Sequence, residues 1–516
     1  MTESAFRTFL SWANLSFVPH QLEGVEWCLN KERADTIKKG GIIADEMGLG
    51  KTILMLATMS INMVSRTLIV LPQCLLQQWH AEILRTTGHN ALIYHKTNKF
   101  TLSELDDAFI VLSTYGTISY TKKPCPLFDI EWDRIICDEA HHIRNPKTNR
   151  YGCCKALRSP IWWLMTGTPI HNTSKDIKSL LKLLDVSDIS DNILRRTKAD
   201  VGIEMPPIVK TQIFVEWKHE EEREMAKDIH SSLSMLHFPD PSIGWSKIYG
   251  KGAVLVSMLR GRQTCNLPRL LEKTIQNDKL KCDLENIDPP PFSMYEYAIQ
   301  NGHSKMDAIT NHLIERKHNG NGKIVFCHFT KEIEMLTIAL RENGAEWVGG
   351  WSDFKAIQSK TPILILQIQT GCEGLNLQQF SEVYFICPHW NPAIEDQAIA
   401  RCHRIGQKKK VEIFEFVMNS LKPAEVNEQA DIDVRKFEYV FKRIAWDIKQ
   451  QILSYILPTE YIALPEHMKK RTYTVLNRTL NSITPDQFSL DKYVLYKQNK
   501  KREKTDHFYI KNNISI

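Results

Sequence analysis

The sequence lacks the long apolar runs of a membrane protein. None of its uninterrupted apolar stretches approaches the ~20 residues that a helix needs to span a bilayer. Its N-terminus also lacks a basic segment followed by a clean apolar run, which is the pattern of a secretory signal peptide. We therefore expect a soluble, intracellular protein with no signal peptide and no membrane partner.

Cysteine pairs at metal-binding spacing are also missing. None of the 12 cysteines forms a Cys-x-x-Cys motif, and Cys153 and Cys154 are adjacent, which is poor spacing for the ligands of one metal ion. Most of the cysteines lie inside apolar runs, as Cys137 does. The sequence therefore predicts reduced, buried thiols, with neither a zinc site nor a disulfide framework.

A strong charge of either sign is absent as well. The 66 Lys and Arg residues slightly outnumber the 60 Asp and Glu residues, and the net charge of +6 permits nucleic-acid binding without arguing for it. Hydrophobic residues make up 43% and charged residues 24% of the 516 residues, as in a globular protein with sizeable cores. At the usual domain size, this length predicts three or four domains.

Two parts of the chain contain short apolar runs that alternate with amphipathic segments. This pattern predicts an α/β fold, in which crossover helices join parallel strands and functional loops follow the carboxyl ends of the strands. Amphipathic segments such as 53–63 and 75–84 lie between the runs of the first part. The predicted buried strands are 41–44, 67–71, 109–113, 134–137 and 161–165 in the first part, and 323–327, 362–368, 382–386 and 411–416 in the second.

The rest of the chain is more helical and more charged. A Glu-rich segment at 219–224 and a Pro-rich linker at 288–291 lie between the two parts. Beyond the second part, residues 437–456 are predicted to form an amphipathic helix, and the basic segment 497–504 is predicted to be disordered. The predicted domains are a first lobe at 1–175, a helical inter-lobe region with a linker at 176–300, a second lobe at 301–425, and a helical extension with a basic tail at 426–516.

The loop Asp-Glu-Met-Gly-Leu-Gly-Lys-Thr follows the first predicted strand and precedes a predicted helix, which is the context of a phosphate-binding loop. Gly48 and Gly50 let the backbone N–H groups turn towards phosphates. Lys51 would neutralise the β- and γ-phosphates, and Thr52 would bind Mg²⁺ through its hydroxyl. The strict motif has Gly where this chain has Asp45, so a glycine-rich turn before a structural helix is the alternative.

Two adjacent carboxylates end another predicted strand. Asp138 and Glu139 follow the run 134–137, and the two are predicted to have separate roles. Asp138 would hold Mg²⁺ through water, and Glu139 would orient and deprotonate the water that attacks the phosphate. An acidic pair at a strand end is often only a helix cap, which is the alternative. The phosphate loop in the same lobe favours the catalytic interpretation.

These motifs and several others occur in the order found in the Swi/Snf family of superfamily 2 helicase-like ATPases, which the sequence resembles over most of its length. In that family Asp is normal at position 45 of the phosphate loop. Asp-Glu-Ala-His at 138–141 is the DEAH box, and Gln-Ala-Ile-Ala-Arg-Cys-His-Arg-Ile-Gly-Gln at 397–407 is close to a signature of the family. The other segments that resemble family motifs are 19–27, 68–79, 112–115, 164–172, 194–198, 259–266, 323–330, 371–377 and 390–392.

The resemblance implies two RecA-like parallel-sheet lobes with helical family-specific insertions, and ATP and Mg²⁺ as cofactors. The residues that it places at the nucleotide are Gln21, which reads the adenine edge, and Asp45, Glu46, Met47, Gly48, Leu49, Gly50, Lys51 and Thr52, with Thr52 and Asp138 at the metal. The implied catalytic residues are Lys51, Glu139, Arg401 and Arg404. The residues implied to couple hydrolysis to movement are His141, Thr166, Gly167, Thr168 and Gln397, and the implied DNA contacts are Pro72, Ser113, Thr114, Thr370, Gly371 and Trp390.

Two arginines in the second lobe complete the implied site. Arg401 and Arg404 are three residues apart, so on a helix they share a face. They would reach across the cleft to the γ-phosphate as arginine fingers, because a guanidinium is always charged and binds phosphate in a planar fork. Such fingers raise hydrolysis rates by about 10³–10⁵-fold. The alternative is a basic helix face exposed to solvent.

The sequence departs from the family pattern at three places. Gln369 stands where Lys or Arg is usual, Cys372 stands where Gly is usual, and segment 347–361 is shorter than its usual counterpart. The first departure is expected to remove one phosphate contact. We expect all three to affect the efficiency of coupling more than the fold.

The function implied by the resemblance is an ATP-driven motor that moves on double-stranded DNA, largely independently of sequence, and remodels protein–DNA complexes. Two alternatives remain open. A strand-separating DEAH-type helicase would need a wedge hairpin between the strands, and a non-catalytic DNA-binding scaffold would need a broken phosphate loop or missing fingers. A ubiquitin ligase fused to the motor is argued against by the absence of a zinc-ligand cluster.

The sequence leaves the cellular role open. Nucleosomes or polymerase complexes are the expected partners besides DNA, and the nucleus or a site of viral DNA replication or transcription is the expected location. A compact motor without recognisable targeting modules fits a large DNA virus, or a repair or transcription role. The abundance of Lys, Ile and Asn fits an AT-rich genome.

Overall fold

The structure is a computed structural model that describes residues 2–95, 98, 100–119, 125–170, 174–186, 188–235, 253–277, 292–345, 348–350, 362–371, 377–419 and 490–511. The linker predicted at 288–291 and the helix predicted at 437–456 lie outside these residues, as do Cys372 and most of segment 347–361.

The first lobe is built on a parallel sheet. Its strands are β1 (Lys39–Ile43), β2 (Thr67–Leu71), β3 (Leu92–Tyr94), β4 (Ile110–Thr114), β5 (Arg134–Cys137), β6 (Ile161–Met165) and β7 (Ile193–Leu194). They form a seven-stranded sheet in the order β3-β4-β2-β5-β6-β1-β7, with all neighbouring strands parallel. All five strands predicted for this lobe are present, each end lying within two residues of the prediction.

Helices cover both faces of this sheet. Along β2, Leu68 and Val70 enter the core on one face, whereas Ile69 and Leu71 enter the core on the other. Burial on both faces explains the continuous apolar runs of the strands. The helices are α1 (Thr2–Trp12), α2 (Pro19–Arg33), α3 (Lys51–Ile61), α4 (Leu76–Thr87), α5 (Leu102–Asp106), α6 (Tyr115–Ile118), α7 (Asn149–Ala156) and α8 (Lys175–Leu183).

A second parallel sheet forms the second lobe. The strands β8 (Ile208–Val215), β9 (Gly322–Cys327), β10 (Val348–Gly349), β11 (Ile363–Gln367), β12 (Phe380–Phe385) and β13 (Val411–Met418) are arranged in the order β10-β11-β9-β12-β13-β8, with neighbours parallel. The α/β prediction with two parallel-sheet lobes is therefore confirmed. The helices from this point on are α9 (Glu220–Met235), α10 (Ala253–Asn266), α11 (Phe292–Asn301), α12 (Ser304–Glu315), α13 (Thr330–Glu342), α14 (Ile368–Gly371), α15 (Pro392–Cys402) and α16 (Leu490–Lys511).

The region 176–300, predicted to be helical, also gives an edge strand to each sheet. β7 pairs with β1 of the first lobe, and β8 pairs along its whole length with β13 of the second. β7 has only two residues, which is too short to show a periodic pattern, and β8 is largely exposed because it lies at an edge. The helix α8, with its buried side chains Ile177, Leu180 and Leu181, packs into the core of the first lobe rather than between the lobes.

The basic segment 497–504, predicted to be disordered, is part of the helix α16. This helix contacts both lobes: Val494 lies in the core of the second lobe, and Tyr509 lies in the core of the first. Asp491 forms a buried ion pair with Lys305 of α12. The composition of the segment did not reveal a helix because its apolar anchors flank the basic run. No described helix is both long and apolar enough to cross a membrane.

Candidate functional site

The loop between β1 and α3 has the conformation that its glycines require. Gly48 has φ +94° and Gly50 has φ +83°, in the left-handed region that side chains other than glycine rarely adopt. Gly50 is the N-cap residue that directly precedes α3, so the loop presents the N-terminus of that helix. A helix N-terminus with exposed N–H groups is suited to a phosphate group.

Lys51, the predicted phosphate-binding lysine, is the first residue of α3. Its Nζ donates to the backbone carbonyl of Asp45 at 2.7 Å and lies 3.4 Å from that of Glu46. Burial lowers the pKa of Lys51, while the negative charges of Glu139, Asp45 and Asp138 act in the opposite direction. The ammonium group therefore sits among carboxylates and carbonyls, where a triphosphate would supply stronger acceptors.

The side chain of Asp45 explains the departure from the strict loop motif. It is fully buried, and its Oδ1 accepts from the backbone N–H of Arg196 at 3.0 Å and from Nε at 3.1 Å. Its Oδ2 accepts from Nη2 of the same arginine at 2.5 Å. Asp45 thus anchors the segment 194–198 to the phosphate loop, and its carboxylate is engaged by an arginine rather than directed at a nucleotide.

Asp138 is held at the end of β5 by three contacts. Its Oδ2 accepts from Trp79 Nε1 at 2.8 Å, its Oδ1 accepts from the backbone N–H of Glu139 at 2.9 Å, and its carbonyl accepts from the Tyr115 hydroxyl at 2.7 Å. Burial and the adjacent Glu139 charge raise the pKa of Asp138 to about 6. Asp138 is thus a fixed carboxylate in an environment that disfavours its negative charge.

Glu139 adopts a strained backbone conformation, with φ +49° in the left-handed region. One carboxylate oxygen lies 3.2 Å from Nδ1 of His141, and the other lies 3.8 Å from Nη2 of Arg401 in the second lobe. Burial opposes ionisation, but His141, Arg401 and Lys51 together lower the pKa of Glu139 to about 2. The two adjacent carboxylates therefore have pKa values shifted in opposite directions, as separate chemical roles require.

The donors available near the phosphate loop fit Mg²⁺. The Thr52 hydroxyl in the first turn of α3 and the Asp138 carboxylate are hard oxygen ligands, which Mg²⁺ prefers. A cation would also offset the burial that raises the pKa of Asp138. No cluster of three or more His, Cys, Asp or Glu side chains suited to a metal occurs among the described residues. A Mg²⁺ ion bound by one carboxylate, one hydroxyl and phosphate oxygens needs no such cluster.

The two candidate arginine fingers lie beside the nucleotide-site residues of the first lobe. Arg401 lies on α15 and approaches Glu139. Arg404 follows α15, and a Cβ built on Gly48 would lie 3.4 Å from the Cβ of Arg404. Burial and the charge of Arg401 lower the pKa of Arg404, although a guanidinium remains charged at neutral pH. The two lobes therefore meet directly over the loop that carries Lys51.

The predicted coupling residues form a second bridge between the lobes. Gln397 Nε2 donates to Thr168 Oγ1 at 3.1 Å. The Thr168 backbone N–H donates to Thr166 Oγ1 at 3.2 Å, and Thr166 in turn donates from its backbone to Ile43 of β1 at 3.0 Å. A Cβ on Gly167 would lie 2.7 Å from Met47, so the glycine allows this segment to pack against the phosphate loop.

Gln21 lies against the same loop. Its Nε2 is 3.5 Å from the carbonyl oxygen of Leu49. A Cβ built on Gly50 would lie 2.3 Å from the same Nε2 atom of Gln21. The neighbouring His20 ring lies 3.2 Å from the same carbonyl. The structure thus brings Gln21 together with the phosphate loop, although the two are about thirty residues apart in sequence.

The predicted DNA contacts lie at or after the carboxyl ends of strands. Pro72 follows β2, and Ser113 and Thr114 end β4. The two hydroxyls have local partners: Ser113 Oγ donates to the Tyr94 carbonyl at 3.0 Å, and Thr114 Oγ1 accepts from the Thr117 backbone at 3.1 Å. Thr370 and Gly371 belong to α14. Trp390 is half-buried before α15, and its carbonyl accepts from Lys501 of α16 at 2.9 Å.

Sequence reasoning did not assign roles to several residues that shape the site. Trp79 and Tyr115 fix Asp138, although each lies within or next to a segment that resembles a family motif. Arg196 and Lys198 pair with Asp45 and Glu46 of the phosphate loop. The charges of these two pairs are complementary in sequence, but only the fold shows that they meet.

Two family descriptions match the chain: the SNF2-related domain at residues 20–192 and the helicase conserved C-terminal domain at residues 304–406. The first match contains Lys51, Asp138 and Glu139, and the second contains Arg401 and Arg404. Together they cover more than half of the chain.

Similar proteins include viral and cellular examples. The "Probable global transactivator" of Orgyia pseudotsugata multicapsid polyhedrosis virus is 27% identical over 453 residues, covering 78% of this chain and 86% of that protein. The ISWI chromatin-remodeling complex ATPase ISW1 of Saccharomyces cerevisiae is 24% identical over 561 residues, covering 96% of this chain but only 48% of that protein.

Among solved structures, the Sulfolobus solfataricus SWI2/SNF2 ATPase core in complex with dsDNA aligns at 22% identity with a TM-score of 0.37, covering 86% of this chain and 96% of that chain. The sequence matches and the two parallel-sheet lobes around one phosphate loop lead to a single assignment. The chain belongs to the SNF2-related family of helicase-like ATPases and has two α/β lobes, each built on a parallel sheet.

Proposed function

We propose that this chain hydrolyses ATP with Mg²⁺ and uses the relative movement of its lobes to travel along double-stranded DNA. The observation that carries the proposal is the meeting of the two lobes at the phosphate loop. Arg401 Nη2 lies 3.8 Å from Glu139 Oε1, and a Cβ built on Gly48 would lie 3.4 Å from the Cβ of Arg404. Groups for binding, hydrolysis and transition-state stabilisation thus converge on one place from both lobes.

Each residue has a chemical role that follows from its surroundings. Lys51 would exchange its two backbone carbonyl acceptors for the β- and γ-phosphates. Glu139, with its low pKa, is ionised at neutral pH and available to accept a hydrogen bond from the attacking water. Arg401 and Arg404 would stabilise the negative charge that develops on the transferred phosphoryl group.

Thr52 and Asp138 would hold Mg²⁺, which would neutralise phosphate charge when bound. The ion therefore completes a set of positive groups, of which Lys51 comes from the first lobe and the two arginines from the second. Closure of the cleft around the nucleotide would bring these groups to the phosphates together, and product release would let them separate.

Movement along DNA would follow from the inter-lobe contacts. Gln397 and Thr168 join the finger helix α15 to the strand-end segment of the first lobe, so this contact would respond to closure at the nucleotide. The predicted DNA contacts lie at carboxyl strand ends and the loops that follow them in both lobes. A protein that holds the phosphate backbone at such positions binds duplex DNA with little sequence preference.

The names of the relatives suggest where such a motor acts. They include a viral global transactivator and chromatin-remodeling ATPases. We therefore propose nucleosomes or polymerase complexes on DNA as the objects of remodelling, in the nucleus or at a site of viral DNA replication or transcription. The chain spans about half of the yeast relative, so the other activities of that larger protein are not transferred.

The test is an ATPase assay with no DNA, single-stranded DNA, duplex DNA and nucleosomes, with Lys51→Ala as the inactive control. We expect duplex DNA to stimulate hydrolysis by wild type and the control to remain at background. Absence of stimulation by duplex DNA would overturn the translocase proposal even if basal hydrolysis occurs. Displacement of a triplex strand without separation of a forked duplex would distinguish translocation from strand separation.

A further inference from the structure

The segment between β7 and β8 connects the phosphate loop to the end of the finger helix. On the first-lobe side, the Ala44 N–H donates to the Leu194 carbonyl at 2.7 Å, and the Glu46 N–H donates to the Arg196 carbonyl at 2.8 Å. The Lys198 N–H donates to Glu46 Oε2 at 2.8 Å. The segment therefore follows the backbone of the phosphate loop closely and should move with it.

The Lys198 side chain extends from this segment to the second lobe. Its Nζ lies 3.0 Å from Glu46 Oε1 and donates to the backbone carbonyl of His403 at 3.2 Å. Lys198 is only 7% exposed, so these contacts are shielded from solvent. His403 is the residue between the last turn of α15 and Arg404. One ammonium group thus joins a phosphate-loop carboxylate to the peptide bond that carries a candidate arginine finger.

His403 itself is also held from a second direction. The ring Nε2 of His403 lies 2.7 Å from the carbonyl oxygen of Pro206, and its backbone N–H donates to Ile399 at 2.8 Å. A Cβ built on Gly48 would lie 3.4 Å from the Cβ of Arg404 and 3.7 Å from Cε of Lys198. The stem of Lys198 and the base of Arg404 therefore both lie beside the phosphate loop, so close that a side chain at position 48 would touch them.

The described hydrogen bonds at and next to Arg404 involve the backbone and His403. Among the described residues, the Arg404 guanidinium makes no hydrogen bond or ion pair, so no side-chain partner fixes its direction in this structure. A lysine is well suited to hold this backbone, because the carbonyls at the C-terminus of a helix carry partial negative charge. A charge-assisted hydrogen bond of low exposure is also stronger than a neutral one.

We propose that Lys198 is a positioning residue that sets Arg404 against the phosphate loop and transmits the state of that loop to the second lobe. The inference rests on the proposed ATPase function. Because Lys198 acts on the backbone of the finger and not on the nucleotide, its loss should reduce kcat and leave the KM for ATP nearly unchanged. Its effect should also require the Arg404 side chain.

The experiment compares Lys198→Met, which keeps the stem but loses the charge, with Lys198→Arg, which keeps a cation. Lys182→Met on the exposed side of α8 is the matched control. We expect Lys198→Met to lower DNA-stimulated kcat by about 10–100-fold with KM within about threefold of wild type. We expect Lys198→Arg to recover most of the rate and Lys182→Met to match wild type.

A double-mutant cycle with Arg404→Ala separates positioning from general stability. If Lys198 acts through the finger, Lys198→Met should lower the rate of Arg404→Ala by no more than about twofold. Multiplication of the two defects would overturn the inference, as would a Lys198→Met enzyme with wild-type kcat. An Arg404→Ala enzyme with full activity would also overturn it, because no finger would then remain to be positioned.

Hydrogen exchange on the nucleotide-free protein gives a readout that does not depend on activity. We expect Lys198→Met to speed exchange at the His403 and Gln407 amides about tenfold or more, with no change in α3. Unchanged exchange at the His403 and Gln407 amides in Lys198→Met would contradict the inference. Failure of the wild-type protein to hydrolyse ATP would instead contradict the proposed function. If Lys198→Met unfolds, Lys198→Gln replaces it in both measurements.

Discussion

In the first lobe, the groups around the phosphate loop come from several strand ends, whereas the second lobe reaches the cleft through one helix. Lys51, Asp138 and Thr168 follow β1, β5 and β6, which are fixed to each other by the sheet. Gln397 and Arg401 lie on α15, and Arg404 follows it directly. The first-lobe residues of the site are thus fixed to one sheet. The second-lobe residues lie on and directly after α15, so they can move together with that helix.

The difference shows where catalysis can be regulated. The helix α15 is anchored at its start, where His389 accepts from Gln498 of α16 and donates to Glu395, and at its end, where His403 accepts from Lys198. Two of these anchors come from parts of the chain outside the second sheet. We therefore expect changes in α16 to alter hydrolysis without touching the phosphate loop, whereas changes at Lys198 also affect its contact with Glu46 of that loop.

The largest expected effect tests this division directly. Arg401→Ala should lower kcat by about 10³-fold or more, because the developing phosphoryl charge loses a guanidinium. ATP affinity should change little, since Lys51 and the loop remain intact. Single-turnover hydrolysis and titration with a fluorescent ATP analogue measure the two quantities. Lys408→Ala, an exposed lysine after α15, is the control. A parallel loss of affinity would show that the second lobe is also needed for binding.

The next effect concerns two buried carboxylates, one in the first lobe and one near the second. In the first lobe, Glu32 is paired with Arg134 through hydrogen bonds of 2.7 and 2.6 Å. Near the second lobe, burial outweighs the hydrogen bond from Ser304 and raises the pKa of Glu222 to about 7. A folded-state pKa above the unfolded value means that the folded state binds more protons between about pH 4.5 and 7. Stability from this group therefore falls as pH rises through that window.

Glu222→Gln should remove this dependence. The quantity to compare is the free energy of unfolding of the variant minus that of wild type. We expect this difference to be about 1–3 kcal/mol larger at pH 8 than at pH 5. Urea unfolding at both pH values measures the change. Glu221→Gln in the same helix, but on a more exposed site, should show no such difference. Equal effects of the two substitutions would mean that Glu222 is ionised in the folded protein.

The smallest effect concerns the direct bridge between the lobes. Gln397→Ala removes one neutral hydrogen bond to Thr168, worth about 1 kcal/mol, so DNA-stimulated kcat should fall about fivefold. Thr168→Val should have a similar effect, and the double variant should be no worse than either single variant. Additive losses would show that the two side chains act separately, and the bridge would then carry no coupling.

The sequence predicted the site best where a strand ends in a characteristic motif. The positions of Lys51, Asp138 and Glu139 follow from apolar runs that stop at polar residues, which is a local pattern. The pairing of Asp45 with Arg196 joins residues 151 positions apart, and no local pattern contains it. The resemblance implies that Asp45 belongs to the nucleotide-binding loop, and only the fold shows that its carboxylate is engaged by Arg196.

The missed elements share a physical cause. β7 is too short for periodicity, β8 is an exposed edge strand, and α16 is stabilised by partners in both lobes. In each case tertiary contacts decide the structure and local propensity does not. The fold class could be predicted from the sequence because it depends on repeated local patterns. The elements β7, β8 and α16 could not, because they depend on tertiary contacts.

The left-handed backbone of Glu139 has a consequence for how this protein would respond to selection. A residue with a Cβ in that conformation is strained by about 1 kcal/mol or more, and glycine would relieve the strain. The same replacement would delete the carboxylate that we propose orients the attacking water. A library screened only for heat resistance would therefore favour glycine at position 139 and yield inactive variants. Stability and hydrolysis favour different residues at this position.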